Sequence, residues 1–435
     1  MDPIASPFRS DVGVIKTPSD SLPELRSEPP SILTTVCIQR PLRRFGLEFF
    51  FQPPPEPLTP LKFAQDGTFQ ISILEDLHFG ENAWDAWGPA NDAKSVGVID
   101  KIFNAETPDL VVLNGDLITG DNTFLENSTL YVDQIVGPLL DRGLSWASTY
   151  GNHDSHYNLS REALLAREQQ WTNCRTQQHV FGAQAGVSNY FLPVYGSGDD
   201  KQEHAPELIL WFFDSRGGSY FQQLNSDGKL VAQPNWVDVS VVDWFKEANA
   251  RLVEKWRRNI PSLAFVHLPT NASLAAQDQV GIDPHLQPGL NDDYLLAGQG
   301  RYWCPDQRYS SSCGYSGEDV PFMQALVETP GMMGLFSGHD HGNTWCYKWD
   351  SQIPGMELKG NGMHICFGQH TGYGGYGDWI RGSRQILVRE SDLEEGILET
   401  WIRLESDNIV GAVTLNATYG EDTYPQTPNQ KTSGT

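Results

Sequence analysis

The chain has no run of 18 or more apolar residues, and its opening stretch, MDPIASPFRSDVG, lacks the basic-then-apolar layout of a signal peptide. No membrane-spanning helix is expected, and no export signal is visible. Basic residues are scarce: 30 lysines and arginines stand against 55 aspartates and glutamates, a formal charge of −25. Such an excess repels polyanions at long range and argues against duplex nucleic acid as a partner, since its binders display a basic face. A small anionic substrate is compatible with this charge where bound metal ions reverse the local field. Signatures of covalent catalysis are missing too, with neither a G-x-S-x-G elbow nor a C-x5-R phosphatase loop in the chain.

Cysteine is sparse, and Cys37, Cys174, Cys304, Cys313, Cys346 and Cys366 have no zinc-finger spacing. Cys304 with Cys313, and Cys346 with Cys366, are near enough in sequence for disulfides, with buried free thiols as the equal alternative. Four N-x-S/T triplets, at Asn127, Asn158, Asn271 and Asn416, lean with the cysteines towards a secretory, extracellular or vacuolar compartment. The absent signal layout leans towards the cytoplasm, so the compartment stays open.

What is present is a 435-residue chain with 39% hydrophobic residues, enough for one large α/β domain or two smaller ones. Residues 1–57 are proline-rich and expected to be irregular, residues 58–415 form the folded domain, and 416–435 an irregular tail. LKF and TFQISIL flank AQDG, whose Asp66-Gly67 pair predicts a hairpin. Strands are expected at FQISIL, DLVVLN, LSWASTY, NYFLPVY, LILWFFD, SLAFVHL, MMGLFS, MHICFG, RQILVRE and GILETWIRL. Helical periodicity appears in Val96, Ile99, Ile102 and Phe103, in Val132, Ile135, Val136 and Leu139, and in Trp244, Phe245, Leu252 and Trp256. The early strands imply βαβ units, the later ones a second mixed or antiparallel sheet, and together two packed sheets with helices outside. Residues 271–320 read as a polar surface insertion.

Metal-competent residues end five of the apolar strands, where ligands bind in open α/β sheets. ISILEDLHFG brings Asp76 and His78, DLVVLNGDL brings Asp116, and STYGNHD brings Asn152, His153 and Asp154. LAFVHLP brings His267, and FSGHDHGN brings His339 and His341, which alternation along an extended chain would put on one face. Aspartate, histidine and an asparagine carbonyl form an O/N donor set suited to Mn, Fe or Zn.

The ordered blocks D-x-H, GD, GNHD, H and GHDH resemble the calcineurin-like metallophosphoesterase family over roughly residues 61–415. LHFGENAWDAWGP, PDLVVLNGDLITGDN and HTGYGGYGDW resemble the fungal and plant phosphatases related to purple acid phosphatases. The resemblance implies a four-layer α/β/β/α sandwich of two mixed sheets flanked by helices, and a dinuclear centre of two divalent ions. It implies Asp76, His78 and His341 on one ion, Asn152, His267 and His339 on the other, and Asp116 bridging them. Purple acid phosphatases colour through a tyrosinate three residues after the bridging aspartate and lack the histidine of D-x-H; here that position is Thr119 and His78 is present. The protein is therefore not expected to be purple.

Two such ions activate a water and clamp a phosphoryl group. By resemblance His153 is the general acid, and Asp154 is expected to orient it and keep it charged. His156 is claimed by nothing in the pattern. In QHTGYGGYGDWIRG, Tyr373 or Tyr376 is expected to offer aromatic contact to a substrate and Arg381 to steady a phosphate, with an incidental glycine-rich loop as the equal alternative, and His370 is equally open. The expected activity is hydrolysis of phosphate monoesters, on small molecules or phosphoproteins, with a phosphodiesterase at the same site as the alternative. A binding protein that has lost catalysis is the third reading, disfavoured by the complete donor set.

Overall fold

The structure is a computed structural model that describes residues 59–198, 204–295, 298–306 and 308–432. The proline-rich segment expected at 1–57 lies outside the described residues. The first half of the domain contains β1 (Leu61–Lys62), β2 (Thr68–Leu74), α1 (Trp87–Ala105), β3 (Leu110–Asn114), α2 (Tyr131–Leu140), β4 (Trp146–Thr149) and α3 (Arg161–Glu168). There follow β5 (Tyr190–Tyr195), β6 (Leu208–Phe213), β7 (Ser219–Leu224), β8 (Leu230–Ala232), α4 (Val239–Trp256), β9 (Ser262–Val266) and α5 (Asn271–Ala275). The chain ends with α6 (Val320–Glu328), β10 (Met332–Ser337), β11 (Cys346–Trp349), β12 (Met363–Phe367), β13 (Gly382–Arg389), β14 (Leu398–Leu404) and β15 (Ile409–Leu415).

One sheet runs β1-β5-β6-β9-β10-β12-β11 and the other β15-β14-β13-β2-β3-β4. Both are mixed. β6, β9, β10 and β12 are mutually parallel, as are β2, β3 and β4, and these read as unbroken apolar runs because both of their faces are covered. Phe69, Ile71 and Ile73 of one sheet meet Phe212, Phe265 and Phe336 of the other in the central core. Ile99, Ile102, Ile135 and Leu139 of α1 and α2 cover Val111 and Trp146 on one outer face. Val241, Phe245 and Phe322 of α4 and α6 cover Trp211, Ala264 and Ile365 on the other. This gives the four layers α/β/β/α, with each fully buried Phe or Ile side chain contributing about 1.5–3 kcal/mol.

Local chemistry sets the helix ends. Ser160 accepts from Ala163 N at the start of α3, and Asp238 accepts from Ser240 N at the start of α4, which stops where Arg257 turns left-handed at φ 57°.

The ten strands expected from the sequence are all present, and three assignments change. Asp66-Gly67 does form a turn, with Gly67 N donating to Ala64 O at 2.9 Å, but its arms are not a hairpin. β1 pairs with β5 in one sheet while β2 pairs with β3 and β13 in the other, because Phe63 and Phe69 both fill the core between the sheets. The late strands β13, β14 and β15 do not build a second sheet but extend the early one, Ile386 lying opposite Ile71. Within 271–320, Leu290, Leu295, Gln299 and Trp303 are buried, so this insertion is partly core.

Two disulfides form, Cys304–Cys313 and Cys346–Cys366, the second joining facing residues of β11 and β12, while Cys174 is a buried free thiol. The tail from 416 to 432 has no helix or strand, yet it is tied down: Ile380 N donates to Gln430 O at 3.0 Å and Lys431 Nζ lies 4.4 Å over the Trp379 ring. No helix among the described residues is long and apolar enough to cross a membrane.

Candidate metal centre

Five parallel strands deliver the predicted residues from their carboxyl ends: β2 Asp76 and His78, β3 Asp116, β4 Asn152 and His153, β9 His267, and β10 His339 and His341. The loops are stitched together across the sheets. Leu77 N and His78 N donate to Asp116 O at 2.9 Å, Gly338 N donates to His267 O at 3.0 Å, and His339 N donates to Asp76 Oδ2 at 3.1 Å.

The backbone is strained here. Asp76, His78, Asp116 and His339 have φ of 52°, 49°, 49° and 77°, a left-handed region that costs a side-chain-bearing residue about 1–3 kcal/mol. The glycines of the GD and GNH blocks answer to proximity: a Cβ on Gly115 would lie 2.5 Å from the His267 ring, and one on Gly151 would lie 2.2 Å from Asp116 Oδ1.

Donor atoms gather in two groups, Asp76, His78 and His341 in one and Asp116, His267 and His339 in the other, each within 4.8 Å. A third group of the same compactness, His78, Asp116 and His153, spans the gap through Asp116. His339 and His341 thus turn to different groups. The reason is not strand alternation, since β10 stops at Ser337 and His339 is left-handed; a tight loop separates the two rings.

The donor chemistry fits cations. His341 Nδ1 donates to Tyr376 O at 2.8 Å and His267 Nδ1 to Asn114 O at 2.9 Å, so in the neutral rings the Nε2 lone pairs point inward. His78 Nε2 and His341 Nε2 face each other at 3.3 Å, and His267 Nε2 is 3.0 Å from Asp116 Oδ2 without hydrogen-bond alignment. Asn152 Oδ1 is buried with no hydrogen-bond partner at all, the mark of a carbonyl reserved for an ion.

Electrostatics divide the histidines. Burial holds His78 and His339 down to about 3. Burial also opposes charge on His267 and His153, but Asp116 overrides it and raises them to about 10 and about 9, with Asp121 adding to the rise on His153. Asp116 in turn is held well below the usual carboxylate range, against its burial, by His267 and His153.

Two expectations are corrected. Asp154 does not orient His153: its buried carboxylate accepts from Leu117 N, Ile118 N and Gly151 N at 2.9, 3.0 and 2.8 Å, clamping the GD loop to the GNHD loop. The ring of His153 instead has its Nδ1 3.1 Å from Asp121 Oδ1. Arg381 is buried and spent on Trp379 O, Gly377 O and the His370 ring, so it braces the loop and is not free for a phosphate.

Asp121 escaped the sequence reading, and Tyr376, left open there, stands against the centre. Asp121 comes from the short turn Gly120–Asn122 and matches no block, although it sits inside the quoted GDLITGDN. Tyr376 stacks on His341 with centroids 4.0 Å apart and hydrogen-bonds Asp293 through its hydroxyl, which fixes one side of the site. Thr119, standing at the tyrosinate position, lies with Oγ1 3.2 Å from His78 Nδ1, so the two departures from purple acid phosphatases touch each other.

The family model described as calcineurin-like phosphoesterase matches residues 73–343, more than half of the 435-residue chain. Among curated relatives, "Probable inactive purple acid phosphatase 28" of Arabidopsis thaliana is 26% identical over 81% of this chain and 84% of its own length. "Phosphatase DCR2" of Saccharomyces cerevisiae is 26% identical over 79% of this chain and 55% of its own length. A solved dimetal phosphatase from Danio rerio is 14% identical, covers 80% of this chain and 98% of its own, and superposes with a TM-score of 0.45.

Proposed function

Because the chain belongs to the calcineurin-like phosphoesterase family, we propose that it hydrolyses phosphate monoesters at a centre of two divalent ions. Asp76, His78 and His341 hold one ion, Asn152, His267 and His339 the other, and Asp116 is shared. The observation that carries this reading is the pair of compact donor groups joined through Asp116, beside the partnerless carbonyl of Asn152. A relative named as a phosphatase supports hydrolysis of a phosphate ester. Some relatives carry names that call them inactive, whereas the complete donor set of this chain supports activity.

When bound, Mn, Fe or Zn ions supply Lewis acidity to the phosphoryl oxygens and lower the pKa of a water to near neutrality. The protein's own residues do the rest. His153, kept protonated by Asp116 and Asp121, donates its proton to the alcohol oxygen as that oxygen's bond to phosphorus breaks and the water oxygen's bond forms. Asp154 holds the two loops that carry Asp116 and His153 in register. The two disulfides support passage through an oxidising, secretory or vacuolar compartment.

Metal-loaded protein is expected to hydrolyse p-nitrophenyl phosphate, to lose that activity in chelator and to regain it on adding metal back. A preference for bis-p-nitrophenyl phosphate would replace the monoesterase by a phosphodiesterase. No turnover of either ester with Mn, Fe, Zn or Mg supplied would overturn the reading.

A further inference from the structure

A cavity of about 230 Å³ opens directly beside Asn152 and His339. Leu268, next to His267, lines it too, and further walls come from segments with no part in the metal blocks: Gln233 and Asn235 after β8 and Tyr309 from the insertion. None of its described lining residues is a lysine, arginine, aspartate or glutamate. At this size it takes a small group, below the range of ordinary drug-sized pockets.

The hydrogen-bonding capacity of the wall is nearly all spent. Gln233 donates to Ser155 Oγ and Ser219 O and accepts from Arg161, so it has nothing left to offer. Asn235 differs. It is 8% exposed and its Nδ2 is tied to Arg301 O at 3.1 Å, while Oδ1 is buried without any partner. Apart from Asn152 Oδ1, Asn235 Oδ1 is the unpartnered buried acceptor among the described lining residues, and a buried acceptor left empty costs about 1–3 kcal/mol. It calls for a ligand hydroxyl or N–H.

Tyr309 lines the cavity and is 55% exposed; around it Cys304 N donates to Arg308 O, Ser310 N donates to Tyr302 O, Tyr309 meets the Trp303 ring edge-on at 6.1 Å, and a disulfide joins Cys304 to Cys313. An aromatic residue beside an uncharged pocket with one spare acceptor suits a compact polyhydroxy ring, whose C–H face can pack on the phenol while one hydroxyl reaches Asn235. A second phosphate there would find no lysine or arginine among the described lining residues to meet it.

We propose that this cavity is the leaving-group subsite, and that it selects monophosphates of small uncharged polyols or sugars, with Asn235 accepting a hydroxyl hydrogen bond and Tyr309 covering the ring. The proposal rests on the phosphatase reading above for the position of the phosphate. It makes the disulfide-closed loop a specificity element.

The test compares glucose 6-phosphate, fructose 1,6-bisphosphate and p-nitrophenyl phosphate with metal-loaded wild type, Asn235→Ala and Tyr309→Ala. The wild type is expected to favour glucose 6-phosphate over the bisphosphate at least tenfold in kcat/KM. In Asn235→Ala the preference for glucose 6-phosphate over p-nitrophenyl phosphate, which has no hydroxyl to lose, should fall about five- to tenfold through KM. Tyr309→Ala, an exposed position where folding is not at stake, should raise KM for both monoesters. Equal use of the bisphosphate, or KM values for glucose 6-phosphate unmoved in both variants, would overturn the proposal. If no ester is hydrolysed, the phosphatase reading falls alone, and titration calorimetry with the phosphonate analogue of glucose 6-phosphate decides the cavity: affinity lost in Asn235→Ala upholds it, equal affinity overturns it.

Discussion

The two halves of the centre are built from the same residue types but sit in opposite settings. Asp76, His78 and His341 are 1%, 3% and 2% exposed and are backed by Thr119, by Tyr376 and by the loop that carries His370. In the other half Asn152 and His339 are only partly buried and line the cavity, although their partner His267 is fully buried, and the neighbouring His153 faces Asp121. Burial raises the cost of any unpaired charge, so the closed half is suited to holding an ion permanently. The open half can meet an incoming phosphate. Under the proposed reading, the closed half would chiefly hold its ion and the open half would also face the substrate, with Asp116 between them.

The largest effect should come from breaking what the halves share. Asp116→Ala removes a donor from the His267–His339 group and from the His78–His153 group that spans the gap, and a partner of His267 and of His153 N. Metal content should collapse, and activity should fall at least about 1,000-fold, equivalent to several kcal/mol of transition-state stabilisation. Elemental analysis showing two ions retained would make the comparison wrong at its root. Next in size is His153→Asn on the open side. Metal content is expected to stay at the wild-type level while kcat drops about 100-fold or more, the usual contribution of a placed general acid. Loss of metal in this variant would mean that His153 also holds an ion, and its separation from the ligand groups would disappear.

How much of this could be read from the chain follows the same line. The strand-end blocks were legible because a D-x-H or GNHD string is local: its donors are neighbours in sequence and an apolar run announces the strand before them. Sheet membership was not, since β13 returns to pair with β2 across more than 300 residues and nothing near either strand encodes that partner. β11 was missed because Cys346-Tyr347-Lys348-Trp349 mixes polar and apolar residues at an edge, and its pairing is reinforced by a disulfide that spacing alone left equal to free thiols. Asn235 and Tyr309 carry no motif at all. Their nearness to Asn152 exists only once β8 and the insertion have folded over the centre.

The smallest expected losses of activity separate the two aspartates on which the sequence reading and the structure disagree. Asp121 faces His153 from a half-exposed position, its side chain 39% accessible, so Asp121→Asn should leave folding unchanged. It should cost about tenfold in kcat, the worth of one charge-assisted hydrogen bond of about 1.5 kcal/mol to the acid. Asp154 is fully buried and accepts three backbone N–H groups. In Asp154→Asn one amide oxygen can still serve Leu117 and Ile118, but the amide nitrogen then faces Gly151 N–H, donor against donor. That should cost roughly 2–4 kcal/mol in urea unfolding, with the folded fraction keeping a kcat nearer to wild type than Asp121→Asn does. The opposite pattern, Asp154→Asn stable but slow and Asp121→Asn unstable but fast, would return the orienting role to Asp154 and move the boundary between the holding and reacting sides of the centre.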